Sequence, residues 1–228
     1  MIDRMLLLDL DGVTVYEVGH PSRGQLEILL LHQTIATSIS GIDCPVVVLT
    51  HRSRAEAVRI LSAASIPVES LAGIMAAEDL FLSAVRHFAV FQMLRGGLRK
   101  SLILPELERR FVIKRQNMAL IDDRIDNVED MLTAGLGLVL HAPSEVSADG
   151  SSVTTFNFSL ALNHFKDWCR GATTSPVISL PSLVKPIVEL QRTGVNTRRD
   201  SRHNFNRLRR VAGASRRWLA TANRRAKL

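Results

Sequence analysis

Aromatic side chains make up only 5% of this 228-residue chain, so its packing has to rest on Leu, Val, Ile and Ala. Cysteine is scarcer still. Cys44 and Cys169 are the whole supply, too few for a disulfide framework and not in a metal-type spacing. Both read as reduced packing residues, which places the chain in the cytoplasm. Long apolar runs are missing as well: Met5–Leu8 is interrupted by Asp9 and Asp11, too early for a signal core or a membrane span. The seven histidines form neither HxH nor HExxH, which leaves a zinc site without support.

What is present is uneven in charge. Residues 198–228 hold 11 Lys and Arg against one acid, Asp200, while residues 1–197 hold 18 basic and 21 acidic residues. The overall +7 is therefore a property of the tail, on a mildly acidic body. With 46% hydrophobic residues the body is expected to be globular.

Short apolar runs alternate with helical patterns. Strands are expected at Met5–Leu10, Pro45–Leu49, Ile66–Leu71, Met118–Ile121 and Gly137–His141, with helices at Gln25–Ile39, Ser53–Ala64, Ala76–Leu94, Ser101–Phe111 and Asn127–Ala134. Residues 13–23, with Gly19 and Pro21, read as a small flap. Strands joined by helical crossovers give a Rossmann-like, three-layer α/β/α fold with a mainly parallel sheet. The expected organisation is a core over 1–142, a poorly defined extension with a Pro-containing linker over 143–197, and a basic tail over 198–228. Ser159–Arg170 is a further candidate helix. In the tail, Phe205, Leu208, Val211, Trp218 and Ala222 approximate helical spacing among arginines, the pattern of a helix on nucleic acid or an anionic membrane surface.

Ligands of parallel sheets sit beyond the carboxyl ends of the strands. Asp9, Thr50 and Asp122–Asp123 all fall at such ends. Asp9 and Asp11 are two residues apart after a buried strand. One carboxylate can attack phosphorus, and a second can protonate the leaving oxygen and then deprotonate water. Gly12 permits a tight turn and close approach. Alone, this D-x-D pattern also fits a structural role. The Thr50 hydroxyl and the His51 backbone N–H could donate to a phosphoryl oxygen, although a threonine here could equally cap a helix. Lys100 could neutralise charge on nucleophile and phosphoryl group; Lys114 is its rival. Adjacent acids at a buried strand end, such as Asp122–Asp123, are costly without a cation, and oxygen ligands without thiol or imidazole suit Mg²⁺.

Taken together, DLDGV, VVVLT, Lys100 and LIDDRIDN resemble, in order and approximate spacing, the motifs of the haloacid dehalogenase (HAD) superfamily over residues 5–140. The resemblance implies Asp9 as nucleophile and Asp11 as general acid/base, with Thr50 and Lys100 on the phosphate. It also implies Mg²⁺ held by the Asp9 carboxylate, the Asp11 backbone carbonyl and Asp123, with Asp122 direct or through water, and Asn127 in support. Having Asp11 points to phosphate rather than halide chemistry.

Only 38 residues separate Asp11 from Thr50, so the expected cap is minimal or absent. The apolar stretch Leu80–Gly97 reads as core, a face for a second copy of the chain, or a partial lid. Three functions follow as expectations: a Mg²⁺-dependent hydrolase of a phosphorylated substrate, a scaffold acting through its basic tail, or a phosphatase of nucleic-acid ends.

Overall fold

The computed structural model of the chain describes residues 4–19, 25–172 and 175–198. It opens with β1 (Met5–Leu8), whose four side chains are wholly buried. β2 (Val15–Gly19) and β3 (Gln25–Leu30) form the flap, followed by the short α1 (Ile35–Ser40). Next come β4 (Val46–Leu49), α2 (Arg54–Ala63), β5 (Gly73–Met75), α3 (Ala77–Arg86) and α4 (Val90–Gly96). After a 3-10 turn at Lys100–Ile103 follow α5 (Leu104–Phe111), β6 (Met118–Asp122), α6 (Ile125–Thr133) and β7 (Leu138–His141). The remainder is β8 (Glu145–Val146), β9 (Ser152–Phe156), α7 (Phe158–Cys169), β10 (Val177–Ser179), β11 (Ser182–Pro186) and β12 (Gln191–Arg198).

Six strands in the order β10-β7-β6-β1-β4-β5 make one parallel sheet. Strand alternation divides the core cleanly between its faces. Leu6, Leu8, Val46 and Val48 pack with α1, α2 and α7, while Met5, Leu7, Val47 and Leu49 pack with α3, α5 and α6. This is the expected three-layer α/β/α arrangement. Each buried aliphatic side chain contributes roughly 1.5–3 kcal/mol. A one-residue slip of β1 would exchange its faces and carry Asp9 away from the sheet edge.

Three local expectations fail, each for a visible reason. Gln25–Leu30 is strand, not helix: Leu26, Leu29 and Leu30 fit helical spacing, but the run pairs with β2 and β12. Ile66–Leu71 contains a 3-10 turn, and β5 starts only at Gly73, after Ala72 N–H bonds the Val46 carbonyl. Ala76–Leu94 is two helices, separated where Phe88 takes a left-handed φ of 57°. Within it Phe88 and Phe91 are 93% and 74% exposed, so this stretch is not simply core.

The largest difference is at 143–197. In place of a poorly defined linker, β10 extends the main sheet beside β7, α7 buries Phe158, Phe165 and Trp168, and β12 pairs with β3. The flap is thereby a three-stranded sheet, β12-β3-β2. Cys44 and Cys169 are unpaired, half-buried and packed on the core. Among the described residues no helix is long and apolar enough to cross a membrane. The expected tail helix lies outside the described residues.

His32 follows the flap, buried against Phe156 and Phe158 with ring centroids 4.7 and 5.4 Å away, and its Nε2 has no partner. Burial, helped by Lys185, pulls its pKa down to about 3. The unfolded chain therefore binds the extra proton below about pH 6.5, and stability falls as pH drops from there toward 3, by at most about 1.4 kcal/mol per unit. Urea midpoints at pH 7.5 and 5 should show the parent losing more stability on acidification than His32→Gln. Equal losses would contradict a neutral, buried imidazole.

Candidate active site

Three neighbouring strands, β4, β1 and β6, end side by side and present Thr50, Asp9 and Asp122–Asp123 at one edge of the sheet. Asp9 is fixed by its own backbone: its N–H bonds the Ile121 carbonyl at 3.0 Å, and its Oδ1 accepts from Leu10 N–H at 2.7 Å. Gly12, at φ 73°, turns the chain back toward Val15. A Cβ there would overlap the Asp123 carboxylate, so this glycine is what lets the first loop lie against β6.

Lys100 stands at the centre. Although its side chain is wholly buried, its ammonium is 2.6 Å from Asp9 Oδ2 and 2.7 Å from Asp122 Oδ2. Asp122 also accepts from Asn127 Nδ2 at 3.0 and 3.2 Å and from Arg124 N–H at 3.0 Å. Lys114, the rival, is exposed.

Oxygen atoms of Asp9, Asp122 and Asp123 lie within 4.8 Å of one another. Burial pushes the Asp9 carboxyl up; Lys100 opposes this, and Asp122 and Asp11 add to it. Burial, with Asp122, pushes Asp123 up to about 7. Lys100 is also raised: burial works against its charge, but Asp9 and Asp122 outweigh that. Burial is the main cause for both acids, their neighbours add to it, and the same acids raise Lys100, so the group is short of positive charge. An all-carboxylate set with this deficit fits a hard divalent cation such as Mg²⁺.

Thr50 is buried, and its hydroxyl accepts from Arg52 N–H at 3.1 Å. It does not cap α2, because Ser53 does, accepting from Glu56 N–H at 3.3 Å. The ring of His51, an exposed residue, meets the Leu98 carbonyl at 2.8 Å.

The Asp11 carboxylate lies outside the three-acid group and is gripped by Arg52, whose Nη2 is 2.6 Å from Oδ1. In continuing strand geometry Asp9 and Asp11 would point the same way, but β1 ends at Leu8 and the chain bends at Leu10, between them. Sequence reasoning passed over Arg52, although an arginine two residues beyond a strand-tip threonine, opposite a D-x-D loop, is a usable signal.

No family model matches the chain, and no curated protein matches it. Solved structures do. A protein from Mesorhizobium loti described as a HAD-like phosphatase is 15% identical, with a TM-score of 0.44 over 75% of this chain and 88% of that one. The 3-deoxy-D-manno-octulosonate 8-phosphate phosphatase of Moraxella catarrhalis, solved with magnesium, phosphate and KDO, is 17% identical with a TM-score of 0.40, over 60% and 67%. The N-terminal part of a Bacteroides fragilis protein, with a phosphatase domain and Mg, is 16% identical with a TM-score of 0.42, over 64% and 37%. Identities and TM-scores this low decide nothing about the activity of this chain.

Proposed function

We propose that this chain is a HAD-type, Mg²⁺-dependent phosphohydrolase that cleaves a phosphate monoester through an aspartyl-phosphate on Asp9. The observation that carries this reading is Lys100, buried between Asp9 and Asp122 at 2.6 and 2.7 Å, with Asp123 in the same group. Asp9, Asp122 and Asp123 would hold the cation, with the Asp11 backbone carbonyl. When bound, it would supply positive charge against the phosphate and the acids.

The chain's own residues supply the rest. Lys100 keeps an oxygen of Asp9 oriented and charged, and it can share its N–H groups with a phosphoryl oxygen. Thr50 offers a second hydroxyl contact, and the His51 N–H a third. The Asp9 carboxylate bonds to phosphorus as the ester oxygen leaves, and Asp11 supplies that oxygen's proton. Asp11 then takes a proton from the water that releases phosphate.

A second feature favours a large polyanionic substrate. β12 runs antiparallel up the flap, from Gln191 beside Leu30 at its base to Arg198 beside Gln25. Residues 199–228, with ten of the chain's basic residues, therefore begin at the end of the flap away from the sheet. An arginine-rich segment rooted there suits a nucleic-acid strand whose terminal phosphate enters the site.

The test is a panel of phosphorylated metabolites and 5′- or 3′-phosphorylated oligonucleotides, with Mg²⁺ or chelator, for the full chain and for one ending at 198. Mg²⁺-dependent phosphate release supports the hydrolase. A preference for oligonucleotides that fades with salt and with removal of the tail supports the polyanion. Binding by the tail without phosphate release from any member points instead to a scaffold.

A further inference from the structure

We propose that Arg52 is a positioning residue that, braced by Glu17 of the flap, aims the Asp11 carboxylate at the leaving-group oxygen. This rests on the reading of Asp11 as general acid/base.

Arg52 lies two residues beyond Thr50, and its side chain is only 12% exposed. It meets three carboxylates from three different elements. Its Nε is 3.0 and 2.9 Å from the two oxygens of Asp11, and Nη2 is 2.6 Å from Oδ1. The same Nη2 is 2.8 Å from Glu17 Oε1 on β2, and Nη1 is 2.8 Å from Glu56 Oε1 on α2. A guanidinium is planar and permanently charged, so contacts on its several edges fix its plane. That plane in turn fixes the carboxylate it grips from two nitrogens.

Without this grip Asp11 would be loosely held. It is 43% exposed and sits on the loop beside Gly12, outside the acid group that holds Lys100. Glu17 and Glu56 are superfluous for neutralising Arg52, because Asp11 alone would do that. Their use is mechanical: Glu17 on Nη2 and Glu56 on Nη1 add two fixed points to the guanidinium beyond those made by Asp11. β3 and β12 back the strand that carries Glu17, so this abutment belongs to a three-stranded sheet and not to a free hairpin. The flap thus acts on the chemistry through Arg52, in addition to any role in covering substrate.

The consequence concerns one step. As the bond from Asp9 to phosphorus forms, the bond from phosphorus to the ester oxygen breaks. Its electron pair stays on that oxygen, which takes the proton that Asp11 carries in its carboxyl form, leaving the carboxylate paired with Arg52. An alkoxide needs this proton, whereas p-nitrophenolate is stable without it. Misaiming Asp11 therefore harms alkyl esters and spares aryl esters.

The experiment compares kcat/KM, which reports phosphoryl transfer to the enzyme, for glycerol phosphate and p-nitrophenyl phosphate with Mg²⁺. Arg52→Gln should raise the aryl-to-alkyl ratio about 100-fold, the lower range of general acid catalysis. Arg52→Lys, which keeps the charge but not the fork, should fall between Arg52→Gln and the parent. Glu17→Gln should shift the ratio in the same direction by several-fold. An unchanged ratio in folded Arg52→Gln or Arg52→Lys, whether both activities survive or both fall, overturns the proposal. Asp11→Asn separates the two levels of inference. If Asp11→Asn raises the ratio and the Arg52 variants do not, the Arg52 inference alone fails. If Asp11→Asn leaves the ratio unchanged, the acid/base reading falls, and this inference with it.

Discussion

Asp9→Asn should lower Mg²⁺-dependent turnover by on the order of 10⁴-fold or more, the scale seen when a catalytic nucleophile is removed, while leaving the fold intact. The amide cannot accept a phosphoryl group as the carboxylate does. The fold should survive because the change removes one acid from a group already short of positive charge, and Lys100 keeps Asp122 at 2.7 Å. Near-parental hydrolysis in this variant would remove Asp9 from the chemistry, whatever its neighbours do. The comparison needs phosphate release and a thermal midpoint on the same sample, so that lost activity is not confused with lost structure.

The second large effect is on stability. Lys100→Met should cost about 3–5 kcal/mol, the range for breaking a buried ion pair by removing one partner. It leaves Asp9, Asp122 and Asp123 without their ammonium. Two conditions should reduce that deficit. Mg²⁺ should recover part of it, because the folded variant alone offers the clustered acids. Acidification should do the same: burial already holds Asp9 and Asp123 above the usual carboxylate range, so the folded state takes up protons more readily than the unfolded chain. In the variant, stability should therefore fall as pH rises through and beyond the ordinary carboxylate range. A Lys100→Met protein with parental stability, insensitive to Mg²⁺, would mean that the lysine does not balance the acids.

Four strands of the main sheet, β1, β4, β6 and β7, were legible for one physical reason. Strands buried on both faces read as short apolar runs, and the polar residue that ends each run marks the sheet edge where a site can form. Met5–Leu8 before Asp9, Val46–Leu49 before Thr50 and Met118–Ile121 before Asp122 all have this form. The flap's second strand was not legible, because Leu26, Leu29 and Leu30 satisfy helical spacing while Ile28 and Leu30 face one core and Leu29 another. Period alone cannot choose between those two; the partner strand does, and β12 lies more than 160 residues away in sequence.

The stretch 143–197 was opaque for a related reason. β8, β10 and β11 span two, three and five residues, too short to show a period, and β11 ends on Pro186. Their order comes from pairing with β9 and β7. At the site, the acids could be placed at strand ends from sequence, but where Asp11 faces could not. That depends on the bend at Leu10 and on a guanidinium from the loop beyond β4, neither of which is encoded in the spacing of the acids.

The most direct test of the central claim is chemical trapping of the phosphoryl acceptor. The 228-residue chain is incubated with a substrate it turns over and Mg²⁺, reduced with borohydride, and digested for peptide mass spectrometry. The account expects homoserine at position 9, appearing only when substrate and Mg²⁺ are both present. An enzyme that turns over under these conditions yet leaves Asp9 unmodified, or carries the reduced residue elsewhere, would contradict it.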